Sequence, residues 1–118
     1  SSVAQKAALE AITRREADVG EMVAEYRRRR NYMVNSFAEM GIACHRPLGA
    51  FYAFPSIAQF GLSSKDFAMR LLQEEKVAAV PGTAFGACGE GFLRCAYATS
   101  LANIEEAMVR LKRFISRL

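Results

Sequence analysis

No apolar run in this 118-residue chain approaches the roughly 18 residues that cross a bilayer, so no membrane partner is expected. Cysteine is scarce and oddly numbered: Cys44, Cys88 and Cys95 include no Cys-x-x-Cys pair. That argues against a zinc framework or a disulfide scaffold and favours reduced thiols, hence a cytoplasmic location. Cys88 and Cys95 read as small buried hydrophobes. Histidine occurs once, at His45, while a zinc site needs three or four converging ligands. His45 therefore reads as a strand-edge residue without catalytic duty, and no metal is expected. The first ten residues, with Lys6 and Glu10 among alanines, have no apolar core and are not expected to be a signal peptide. There is no internal repeat, low-complexity stretch or linker. A net charge of +4 permits an acidic partner without demanding one.

What is present fits one globular domain. Hydrophobic residues make up 52% and charged residues 24%, ordinary for a soluble protein. A chain this long can bury roughly two-thirds of its unfolded surface, enough for an independent core. The alanine-rich stretch from Ser2 to about Ile12 predicts a helix, and Arg14 to Gly20 a break. A longer helix follows, with Val19, Met22, Val23, Tyr26, Met33, Val34, Phe37 and Met40 at three- and four-residue steps and Gly41 as its stop. Strands are expected at 42–45, at 51–54 before Pro55, at 77–80 before Pro81, and at 92–98. Ser63 or Ser64 caps a helix running to Lys76. Ser100 caps a last one, striped by Ile104, Ala107, Met108, Leu111 and Ile115. The fold class is α+β: a small, mostly antiparallel sheet packed against helices.

Two segments invite a chemical reading. Arg27–Arg30 could track phosphates, but on a helix four consecutive arginines point in all directions. Glu16, Asp18, Glu21 and Glu25 precede them on the helix, Glu25 at three- and four-residue spacing from Arg28 and Arg29, and no aromatics are interleaved. The run reads as a solvated helix face, with no nucleic-acid partner. The second segment, 81–91, holds four of the eight glycines behind Pro81. Its Gly-x-x-x-Gly-x-x-Gly-x-Gly spacing leads into a strand, whereas nucleotide-binding glycine loops lead into a helix. The loop delivers Arg94 onto a strand with Phe92, Leu93, Cys95 and Ala96 around it. A guanidinium there is costly to bury alone. By spacing alone it either meets an acid within the chain or awaits a carboxylate or phosphate from outside.

The blocks QKAALEAIT with the YRRRR helix, PLGAFYAFP, and PGTAFGACGEGFLRCAYATS stand in this order along nearly the whole chain. Together they resemble the class I/II, fold type I aminotransferases, in particular the C-terminal small domain of aspartate aminotransferase-like enzymes. The resemblance implies that residues 1–118 form that small domain, without the large domain that carries the pyridoxal 5'-phosphate site. It implies amino-acid and 2-oxo-acid substrates and a homodimeric full-length enzyme. It carries over to Arg94 the role of binding the substrate α-carboxylate, and to Phe51 that of lining the substrate pocket. For Phe51, plain core packing is the competing reading. Pro81-Gly82 and Phe85-Gly86 would shape the loop without chemistry of their own. No catalytic or cofactor-binding residue is expected here, since Lys6, Lys65 and Lys76 lack the motif of the lysine that holds the cofactor. The isolated chain is expected to be inactive. A sensor domain of a transcription regulator, or a related pyridoxal-phosphate lyase or acyltransferase, would share the same blocks.

Overall fold

The computed structural model describes residues 1–14 and 16–118. The elements are α1 (Ser2–Arg14), α2 (Glu16–Glu39), β1 (Tyr52–Ala53), α3 (Ser64–Glu75), β2 (Val80–Pro81), β3 (Leu93–Ala96) and α4 (Leu101–Ile115). Of the break expected over 14–20, Arg14 and residues 16–20 are helical, and Arg15 lies outside the described residues. Gly41 ends the long helix at φ +71°, a left-handed conformation that glycine adopts without strain. Ser63, not Ser64, caps α3: its hydroxyl oxygen accepts the Asp66 N–H at 3.1 Å. Ser100 does the same for Asn103 at 3.2 Å on α4.

The sheet is antiparallel throughout, in the order β1-β3-β2. Its strands are shorter than the sequence pattern suggests. The expected strand at 42–45 survives only as a bridge between Cys44 and Pro55. The one expected at 77–80 reduces to Val80–Pro81, because α3 ends on Lys76 at φ +57° and residues 77–79 then cross toward the sheet unpaired. The core lies between this sheet and the helices: Met33 and Phe37 from α2, Phe67 and Leu71 from α3, Ile104, Met108, Leu111 and Phe114 from α4, and Leu93 from β3. Phe67 meets Phe114 edge-on at 5.1 Å, joining α3 to α4. By contrast the described side chains of α1 are exposed, Val3, Leu9 and Ile12 among them.

The basic run falls as expected in part. Glu25 pairs with Arg29 at 2.8 Å and Arg28 at 3.5 Å, while the side chains of Glu16 and Asp18 lie outside the described residues. The stronger ionic cluster lies elsewhere. Glu75, only 3% exposed at the end of α3, accepts hydrogen bonds from Arg113 Nε and Nη2 and, at 2.6 Å, from Arg117 Nη2. Arg110 Nη1 donates to the Glu75 carbonyl at 3.0 Å. The bonds from Arg113, then those from Arg117, hold the Glu75 carboxyl down at about 2, against an ordinary 4.5. A depressed folded-state value means the contribution to stability is present above about pH 4.5 and disappears as pH falls toward 2. Glu75→Gln should therefore flatten the loss of stability between about pH 5 and about pH 2 in thermal melts. Parallel acid profiles for the two proteins would show that Glu75 does not drive that loss.

Candidate substrate-carboxylate site

β3 is the central strand, and its alternation sorts its side chains between two faces. Leu93 is 1% exposed and belongs to the core. Arg94 and Ala96 take the opposite face, where Val80 of β2 stands opposite Arg94 and Tyr52 of β1 opposite Ala96. That pairing puts Tyr52 diagonal to Arg94, within reach of a long side chain. The Arg94 guanidinium carbon lies 5.6 Å from the Tyr52 ring centre and 5.0 Å from that of Phe85. Arg94 Nε is buried with no hydrogen-bond partner, and among the described residues no carboxylate pairs with the guanidinium. A buried donor left in this state costs about 1–3 kcal/mol. Among the described residues, then, Arg94 meets no acid within the chain. What remains is a cation held between two rings, with an unmet demand for an acceptor.

The loop that carries Phe85 is tightly built. Residues Gly82–Phe85 and Ala87–Gly89 form two short helical turns. The buried Ser64 hydroxyl accepts from the Gly91 N–H at 2.8 Å and the Phe92 N–H at 3.1 Å, and donates to the Gly89 carbonyl at 3.3 Å. Glu90 returns the contact, its Oε1 accepting the Ser64 N–H at 2.7 Å. Sequence reasoning missed Ser64, Tyr52 and Phe85 in these roles. For Ser64 the only signal was a serine pair at a helix start, which does not say which hydroxyl caps.

Phe51 is not a core residue: it is 51% exposed. It follows Ala50, a non-glycine residue at φ +59°. Tyr97 pins this turn, its N–H donating to the Phe51 carbonyl at 2.8 Å and its hydroxyl to the Ala50 carbonyl at 3.2 Å. Burial pushes the Tyr97 phenol above its ordinary value. Phe51 lines a cavity of about 360 Å³ against α2, with Tyr26, Arg27, Arg30 and Leu48. Arg94 does not line that cavity. The two residues are joined through Tyr52, whose ring meets Phe51 edge-on at 5.7 Å.

The cysteines divide sharply. Cys88 is exposed on the Ala87–Gly89 turn, which corrects the expectation that it is buried. Its turn faces solvent rather than the core. Burial pushes the Cys95 thiol up to about 12 and raises that of Cys44. A raised value leaves little thiolate near neutrality. Iodoacetamide at about pH 8 should label Cys88 well before Cys95, read by peptide mass mapping. Equal rates would refute the half-buried placement of Cys95 against the core.

Among the described residues no lysine is buried. Lys6, Lys65, Lys76 and Lys112 are all exposed on helices or helix ends, and Lys76 Nζ is engaged with the Gln73 carbonyl at 2.9 Å. The orphaned buried donor is a guanidinium nitrogen, which suits an anion and forms no imine with an aldehyde.

The model of the family described as aminotransferase class I and II matches residues 1–111. A Bacillus subtilis protein named as an aminotransferase, YugH, is 54% identical over 116 residues, covering 98% of this chain and 30% of its own length. An aromatic-amino-acid aminotransferase of Thermococcus litoralis is 48% identical over 97 residues, covering 82% of this chain and 25% of its own. The crystal structure of an aspartate aminotransferase from Thermotoga maritima superposes with a TM-score of 0.82 at 39% identity, over 98% of this chain and 29% of that one. The chain thus spans about 30% of the length of the curated relatives it matches. With the match reaching nearly end to end, and the α+β architecture agreeing, this chain belongs to the class I and II aminotransferases.

Proposed function

We propose that this chain is the small C-terminal domain of a pyridoxal-phosphate-dependent aminotransferase, and that Arg94 grips the α-carboxylate of the amino-acid and 2-oxo-acid substrates. The observation that carries the reading is the buried, unpartnered Nε of a guanidinium held between two rings. A guanidinium offers parallel N–H groups that match a carboxylate in two-point fashion, and a partly desolvated setting strengthens them. Phe51, presented by the turn that Tyr97 pins, would line the adjoining pocket for the substrate side chain.

The cofactor, when bound in the full-length protein, supplies the electron sink for amino-group transfer. Its holding residues belong in this reading to the large domain. The exposed apolar residues of α1, with Leu48 and Phe51, are surfaces the rest of a homodimeric enzyme would cover. The three free thiols are in keeping with a cytoplasmic setting.

The isolated chain should show no cofactor chemistry of its own. Mixed with pyridoxal phosphate and reduced with borohydride, it should give slow, scattered lysine labelling. A stoichiometric label on one lysine would overturn this expectation. The test of the carboxylate grip is how well the full-length enzyme separates an amino acid from the matching amine without the α-carboxylate, with Arg94 present and with it removed.

A further inference from the structure

We infer that Phe85 is a positioning residue for Arg94, setting the enzyme's affinity for the substrate carboxylate through the face of its ring. The inference rests on the reading of Arg94 as the carboxylate grip and adds a residue that the sequence pattern assigned only to loop shape. Phe85 ends the Gly82–Phe85 turn and is 54% exposed, an unfavourable place for a phenyl ring without a task. Its ring centre is nearer the guanidinium carbon, at 5.0 Å, than that of Tyr52 at 5.6 Å. The Phe54 ring backs it edge-on at 5.8 Å.

Arg94 Nε has no hydrogen-bond partner, and among the described residues no side chain bonds to the guanidinium. Ring faces remain to orient it. Cation–π attraction restrains the group without consuming its donors, which stay available for an incoming carboxylate. Holding a long side chain in place beforehand also lowers the entropy lost when the anion binds.

The test uses the full-length enzyme carrying Phe85→Leu, Phe85→Tyr or Phe85→Trp, each alone and with Arg94→Ala. Phe85→Leu keeps apolar bulk and removes the ring face. It should raise KM for the amino acid by about 5- to 30-fold, with a smaller change in kcat. The rate with an amine lacking the α-carboxylate should hold, Phe85→Tyr and Phe85→Trp should restore KM, and Phe85→Leu should add nothing once Arg94 is alanine. In crystals of the Phe85→Leu enzyme the guanidinium should leave its place over the Tyr52 ring. Equal losses for amino acid and amine, losses that persist in the Arg94→Ala background, or an unmoved guanidinium would make Phe85 a structural loop residue and overturn the inference. If Arg94→Ala by itself treats amino acid and amine alike, the carboxylate reading falls and takes this inference with it.

Discussion

Arg94→Ala in the full-length enzyme is expected to lower kcat/KM for an amino acid by about 30-fold or more, the equivalent of about 2–5 kcal/mol for a lost two-point charged contact. The size follows from the setting. Arg94 Nε is already out of water and unpaired, so the desolvation of that group is met before substrate arrives. A carboxylate meeting the guanidinium would add charged hydrogen bonds beside the Tyr52 and Phe85 rings, where they are worth more than in water. Arg94→Lys should restore only part of the loss, because an ammonium reproduces the charge but not the planar fork. An amine substrate without the α-carboxylate should respond weakly to both changes. Equal losses for amine and amino acid would make Arg94 a structural residue of the sheet. Near-normal kinetics in the alanine variant would remove it from the site.

The helices were legible in the sequence because their stripes are local. Ile104, Met108 and Leu111 are spaced as a buried face of α4 must be, and all three are buried. Phe114, fully buried, continues the same stripe, whereas Ile115, which its spacing assigns to that stripe, lies at its margin. Strand lengths were less legible. Apolar runs at 42–45 and 77–80 look alike in composition, yet a strand exists only where a partner offers a ladder. β3 pairs with two residues on each side, so most of those runs cross the sheet edge unpaired.

For the site, alternation along 92–98 made Arg94 conspicuous as the one charge on an apolar strand. Its surroundings were not readable in the same way. Tyr52 reaches it only through the β1–β3 register, and Phe85 only because two consecutive turns fold back against each other. Phe51 was found by its motif, but no pattern in the sequence placed it in a cavity with Arg27 and Arg30 rather than beside Arg94.

Alanine at Gly82 and alanine at Gly20 should have opposite signs, and the contrast measures how far the loop depends on its glycines. A Cβ on Gly82 would stand 2.1 Å from the Gly89 carbonyl oxygen and 2.9 Å from that of Phe92. One on Gly89 would stand 2.0 Å from the Gly82 carbonyl oxygen. These are backbone atoms, and the Gly82 N–H also donates to the Phe92 carbonyl at 2.8 Å, so the overlap is not relieved by turning a side chain. Gly82→Ala must prise the two turns apart, at a cost of about 1–3 kcal/mol or more, and should lower Tm by roughly 5 °C or more. Gly20, on an exposed stretch of α2, has nothing within 4 Å of its added Cβ. There the substitution only removes backbone freedom from the unfolded chain, and should stabilise by about 0.5–1 kcal/mol. Because the Gly82–Phe85 turn carries the Phe85 ring, Gly82→Ala should also weaken amino-acid binding in the full-length enzyme at temperatures well below its melt. Gly20→Ala should leave binding alone. If Gly82→Ala melts like the parent protein, the close approach of the two turns is not a feature of the folded state, and the ring's hold on Arg94 loses its support.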